Sequence, residues 1–150
     1  MDWINFYGII FIAVIMIPNI IYAIKCREGF ENKWNNKIVE TIEQIGRFGC
    51  IGFMIIKVPG VCFGWWFDGA FVAYLTINIV LSIIYCVIWI ICFHKDSIFR
   101  ALSLSIIPSL IFICSAVLSG SILLLVTFAL FTPAHILISY KNAKTKEIFI

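Results

Sequence analysis

Long apolar runs, separated by short polar ones, organise this chain. The first, WINFYGIIFIAVIMIPNIIYAI over residues 3–24, carries no charge. A helix rises 1.5 Å per residue, so about 20 residues cross a hydrocarbon core about 30 Å thick. By that measure the first run predicts one crossing, a second extends from about Ile45 to Trp66, and a third from about Ala70 to Phe93. The stretch Ala101–Tyr140 has no Asp, Glu, Lys or Arg and is twice the length one crossing needs. Ser119-Gly120-Ser121 supplies turn chemistry near its centre, dividing it into crossings over about 99–118 and 121–140.

The polar segment between the first two crossings has its own period. Ile38, Val39, Ile42 and Ile45 recur at helical spacing, opposite Lys37, Glu40, Glu43, Gln44 and Arg47. This predicts an amphipathic helix over about 36–46, capped by Asn35 or Asn36, lying on the inner leaflet and leading into the second crossing. Glu43 and Arg47 form an i,i+4 pair, worth about 0.2–0.5 kcal/mol if exposed. The expected fold is an all-α integral membrane protein forming a single membrane domain over residues 1–150. It comprises five transmembrane helices, with one cytoplasmic amphipathic helix between spans one and two.

Charge placement orients this bundle. Lys25, Arg27, Lys33, Lys37 and Arg47 lie in or beside the first connection, Lys95 and Arg100 in the third, and Lys141, Lys144 and Lys146 in the tail. The N-terminus, the WWFDG connection and the SGS turn carry no Lys or Arg. The positive-inside rule then predicts a multi-pass cell-membrane protein with its N-terminus outside and its C-terminus in the cytoplasm. Anionic lipids of the inner leaflet are the expected partners of the basic segments. Trp3, Phe6, Tyr7, Trp65, Trp66 and Phe67 fall at the outer interface, and Tyr22, Trp89 and Tyr140 towards the inner one. MDWINFYG lacks the basic start and the cleavage site of a signal peptide, so the first run is expected to stay as a permanent helix.

Composition agrees with the pattern: 63% of residues are hydrophobic and 13% charged, well outside the soluble average. The abundance of isoleucine hints at a bacterial source. Six cysteines are scattered without a CxxC pair and read as small apolar residues, not as a zinc site or a disulfide framework. There is no internal repeat to suggest an inverted-repeat transporter.

The candidate chemistry centres on FMIIKVPGVCFGWWFDG, residues 53–69. A mid-span lysine costs about 2.5–3.5 kcal/mol on insertion scales, so Lys57, about twelve residues into the second crossing, demands a reason. Gly46, Cys50, Phe53 and Gly64 share its helical face, which places it towards the bundle. Pro59 would free the Ile55 carbonyl one turn back. No acid lies inside any span; the nearest, Asp68, is about 16 Å away along a straight helix. Other polar residues at bilayer depth are Asn19, the stripe Tyr74, Asn78, Ser82, Tyr85 and Trp89, the series Ala101, Ser105 and Ser109, and Thr132, His135 and Ser139. By depth, Lys57 and Asn78 fall near the middle, with Asn19 and His135 about a turn towards the cytoplasm.

The expected ligand-binding set is therefore Lys57, Asn78, Asn19 and His135. Glu40, Glu43 and Arg47 form a cytoplasmic rim or a docking surface for a partner. Against this stand structural roles: snorkelling or carbonyl capture for Lys57, and interhelical hydrogen bonding for Asn19, Asn78 and His135. His94 and Asp96 are too few for a metal site. There is no phosphate loop, HExxH, GxSxG or pair of intramembrane carboxylates, so no catalytic residue, metal or cofactor is predicted. Nucleic acid is not an expected partner. The function expected is binding, or helping to transport, an anionic or amphipathic small molecule or lipid in an intramembrane cavity around Lys57. A bundle this small leaves little room for a pathway, which favours a homo-oligomer or a larger membrane partner. The alternatives are a non-catalytic regulatory or immunity-type protein acting through the cytoplasmic helix, and a lipid-modifying enzyme using Glu40, Glu43 and Arg47.

Overall fold

The structure, a computed structural model, describes residues 3–26, 34, 36–95 and 97–148, with side chains as far as residue 145. Arg27, Lys33, Asn35, Asp96 and the side chain of Lys146, which entered the charge and capping arguments, lie outside the described residues. Five helices follow in order: α1 (Phe6–Lys25), α2 (Lys37–Ile55), α3 (Ala70–Cys92), α4 (Ile98–Ser119) and α5 (Ile122–Ile148). Four of them, α1, α3, α4 and α5, are long and apolar enough to cross a membrane; α2 is not. The chain is thus a multi-pass, membrane-type helical bundle.

Backbone hydrogen bonds fix which ends meet. Asn5 N–H donates to Ile55 O at 2.7 Å and Lys57 N–H to Trp3 O at 2.8 Å, so α1 begins beside the end of α2. Phe63 N–H donates to Gly120 O and Ile122 N–H to Val61 O, both at 3.1 Å, pinning residues 61–63 to the α4–α5 turn. Successive helices therefore alternate in direction. One end of the bundle gathers Trp3, Lys57, Trp65 and Trp66; the other gathers Lys25, Lys37, Lys95 and Arg100. We call these the aromatic end and the basic end.

The helix found where the sequence predicts the second crossing departs from the expected residues 45–66. Helix α2 starts at Lys37, absorbs the amphipathic stretch 36–46 without a break, and stops at Ile55. The separate cytoplasmic helix is thus the first half of α2. Proline at 59 disfavours helical geometry at Val58, and Ile56 is already extended, at φ −102° and ψ 120°. Gly60, Gly64 and Gly69 then take φ of 87°, 82° and 97°, a region that only glycine enters freely. Residues 56–69 consequently form an irregular connection at the aromatic end. Lys57 belongs to that connection, not to the middle of a span.

Capping sets the other boundaries. Asn36 Oδ1 accepts from Val39 N–H at 3.4 Å to begin α2, and Ser97 Oγ accepts from Arg100 N–H at 3.2 Å to begin α4. Gly120, at φ 62°, ends α4.

Helix α2 packs antiparallel on α5, with Gly46 against Phe131 and Gly49 against Thr127. Small residues allow this closeness, the usual device between helices in membranes. The predicted polar stripe of α3 forms its buried face: Tyr74, Asn78, Ser82, Tyr85 and Trp89 all point inward. In α2 the usual soluble arrangement is inverted. Ile38, Ile45 and Phe48 are exposed on the outside of the bundle, whereas Glu43 is buried with Gly46 and Cys50.

Candidate functional site

Helices α1 and α2 touch closely at the aromatic end. A Cβ on Gly8 would stand 2.2 Å from Met54 O, and Asn5 Nδ2 donates to the same carbonyl at 3.2 Å and to Tyr74 Oη at 3.0 Å. From Ile12 and Ile51 towards the basic end, a cavity of about 550 Å³ lies between α1 and α2, backed by α4 and α5. Its lining changes with depth. Ile12, Ile15, Ile51, Phe112 and Phe131 form the apolar blind end; Asn19, Glu40, Glu43, Gln44, Arg47 and His135 form a polar belt. Tyr22, Ser97, Arg100, Ser139 and Asn142 line the part nearest the basic end. At 1.5 Å per residue, Glu43 lies about 18 Å along α2 from Ile55, and His135 about 20 Å along α5 from Ile122. The antiparallel register of α2 on α5 brings the two to one level.

Glu43 is the focus of the belt. Its side chain is only 4% exposed, and one oxygen takes every hydrogen bond it receives from the described residues. Oε1 accepts from Arg47 Nε at 3.0 Å and Nη2 at 2.5 Å, and lies 2.8 Å from His135 Nδ1. Among the described residues, Glu43 Oε2 and Arg47 Nη1 have no further partner. His135 is itself held by stacking on Phe131, with ring centroids 4.6 Å apart at 21°. The arrangement suits binding: a carboxylate and a guanidinium clamp each other, an imidazole nitrogen meets the same carboxylate oxygen, and Glu43 Oε2 and Arg47 Nη1 are left over. Breaking the pair is costliest where the survivor stays desolvated, which here is the Glu43 carboxylate, 4% exposed against 40% for Arg47.

Arg100 serves the basic end. It is buried and donates from Nη1 to the carbonyls of Cys92 (3.3 Å) and Phe93 (3.2 Å), and from Nη2 to Tyr22 Oη (3.0 Å). The last carbonyls of α3 have no partner within their own helix, and a cation there also meets the negative end of the helix dipole. Tyr22 receives the guanidinium over its ring at 4.9 Å and packs on Trp89 and Phe93.

Of the residues singled out from sequence, Asn19, His135, Glu40, Glu43 and Arg47 all line this one cavity. Asn19 Nδ2 donates to Ile15 O at 2.9 Å and to Tyr85 Oη at 2.8 Å, leaving its carbonyl oxygen the freer group. Lys57 and Asn78 are elsewhere. Lys57 is half-buried at the aromatic end, its Nζ 5.8 Å from the Trp65 ring centroid, beside a void of about 10 Å³ shared with Asn5, Tyr74 and Ser115. That void has room for about one water, and its polar walls suit one. Asn78 is fully buried, donating to Tyr74 O at 2.8 Å and accepting from Ser115 Oγ at 3.2 Å, a packing role.

Arg100, Gln44, Tyr22 and Asn142 line the cavity without having been singled out as binding residues. Arg100 counted only as a topology charge and Tyr22 only as an interfacial ring. One available signal was that Arg100 falls just inside the fourth apolar run. No family model, no curated protein and no solved structure matches this chain, so its function is read from the cavity itself.

Proposed function

We propose that the chain is a membrane-embedded binding protein that holds an amphipathic small molecule or lipid in the cavity between α1, α2, α4 and α5. The observation that carries this reading is the polarity gradient along the cavity, from Ile12, Ile51 and Phe112 at the blind end to the Glu43–Arg47–His135 cluster. Its volume falls within the range of about 300–1,000 Å³ typical of small-molecule sites. Ionisable side chains at membrane depth are expensive and face bundle interiors or wet cavities, where they mark functional sites.

The inverted amphipathicity of α2 supports a fifth crossing. A helix lying on the leaflet surface turns its apolar face to the lipid and its charges to water. Here Ile38, Ile45 and Phe48 face outwards while Glu43 faces the cavity, as suits a helix within the bilayer beside an aqueous pocket. Most of the lysines and arginines gather at the basic end, which by the positive-inside rule is cytoplasmic, with the N-terminus outside. The opposite end then carries Lys57 in the longer second connection. The blind end supports binding as the basic activity; helping transport would require the Asn5–Ile55 contact to part.

Native mass spectrometry of the gently extracted protein tests the reading. Wild type and Lys57→Met should carry a bound amphiphile, and Ile51→Trp, which fills the blind end, should not. Equal occupancy in Ile51→Trp, or its loss in Lys57→Met alone, overturns the proposal. Accessible-thiol labelling tests the orientation: Lys57→Cys and Lys144→Cys should react from opposite sides of sealed vesicles.

A further inference from the structure

The charges lining the cavity balance among the described residues: Glu40 and Glu43 oppose Arg47 and Arg100. They are also largely committed to protein. Arg100 is occupied by two carbonyls and Tyr22, and Arg47 spends Nε and Nη2 on Glu43. Beside Asn19, Gln44 and His135, which also line the belt, the Glu43–Arg47 pair offers a ligand an acceptor, Glu43 Oε2, next to the N–H donors of Arg47 Nη1, and its formal charge is zero. An anionic head reaching Arg47 Nη1 would meet the Glu43 carboxylate, and a cationic head reaching Glu43 would meet the guanidinium. In a site walled by Ile, Phe and Leu, with Glu43 only 4% exposed, these repulsions are screened less than in bulk water.

We infer that the cavity selects an amphiphile whose head group is net neutral and both donates and accepts hydrogen bonds, seated at Glu43 and Arg47 with its chain towards Ile51 and Phe112. This rests on the cavity reading above and narrows it, replacing the anionic ligand expected around Lys57. Two sources supply such chemistry: an uncharged polar amphiphile, such as a monoacylglycerol or a fatty amide, and a zwitterionic single-chain phospholipid. The direction of the cavity suits either, because its polar lining lies towards the basic end and its apolar lining towards the middle of the bundle. That is the orientation of a lipid in the leaflet on that side.

The test uses four dodecyl-chain probes that share a tail and differ in head: 1-monododecanoylglycerol, dodecanoyl lysophosphatidylethanolamine, dodecanoate and dodecylammonium. Each is titrated into the full-length protein in detergent, with binding read by native mass spectrometry. One or both neutral-headed probes should bind at least tenfold more tightly than either charged probe, and which of the two leads names the source. Glu43→Gln should move the preference at least tenfold towards dodecanoate, and Arg47→Gln towards dodecylammonium. The double variant Glu43→Gln/Arg47→Gln, which leaves neither charge unpaired, should restore the neutral preference, so poor folding of a single variant does not obscure the result. Dodecanoate or dodecylammonium binding wild type as tightly as the neutral probes overturns this inference and leaves the cavity reading standing. Failure of all four probes to bind, together with no bound mass on the extracted protein, overturns both.

Discussion

Gly46 of α2 rests on the backbone of Phe131 in α5: a Cβ added there would stand 2.6 Å from the Phe131 nitrogen and 2.7 Å from its Cα. Backbone cannot swing aside as a side chain can, so α2 and α5 must separate to admit even a methyl group. Gly46→Ala should cost about 1–3 kcal/mol, the range for overpacking a well-fitted contact, read as a lower melting temperature in detergent. Gly52 lies in the same helix with nothing within 4 Å of an added Cβ. Gly52→Ala should be neutral or stabilise by up to about 1 kcal/mol through helix propensity. The two substitutions, identical in chemistry, are expected to differ in sign.

The Glu43–Arg47 pair should respond unequally to loss of either member. Arg47 is 40% exposed and Glu43 only 4%. Glu43→Gln leaves a guanidinium that can turn to water, and should cost about 1–2 kcal/mol. Arg47→Gln strands a buried carboxylate with His135 as its only partner among the described residues, and should cost about 3 kcal/mol, the low end for breaking a buried pair. Thermal unfolding of both variants checks the order. A costlier Glu43→Gln would mean that the carboxylate is not the desolvated partner.

At the basic end, Arg100→Met should release the final turn of α3. Amide hydrogen exchange at the last residues of that helix would rise, and stability would fall by about 2–3 kcal/mol. Arg100→Lys should recover little of this. An ammonium cannot reproduce the planar fork that reaches Cys92 O, Phe93 O and Tyr22 Oη together.

Lys57→Met should change stability by no more than about 1 kcal/mol, the scale of a partly exposed cation–π contact with Trp65. Ligand occupancy measured on the same preparation should match wild type.

Much of the bundle was legible in the sequence, because α1, α3, α4 and α5 announce themselves by uninterrupted apolar length and α3 by its inward stripe. The limits of α2 were not. Hydropathy treats VPGVCFGWW as good lipid-facing sequence; it is blind to Val58 being constrained by Pro59 and to glycines held at positive φ. Counting depth from Ile45 put Lys57 at mid-membrane. Counting from Lys37 moves it to the end and brings Glu40, Glu43 and Arg47 to the level of Asn19 and His135. The rim and half of the lining named from sequence thereby fall on a single surface. The Glu43–His135 contact spans 92 positions and depends on the α2–α5 register, set by Gly46 and Gly49, which no local pattern encodes.

The contacts of Asn5 with Met54 and Ile55 lie beyond the apolar end of the cavity, and the proposed reading takes the basic end as its approach. A site with a single approach equilibrates with a single compartment. Its fractional occupancy follows the chemical potential of the ligand on that side and is indifferent to any gradient across the bilayer. On the proposed reading, the protein in this form would therefore report the composition of one leaflet. Only parting of the Asn5 contact would let the two sides exchange through it.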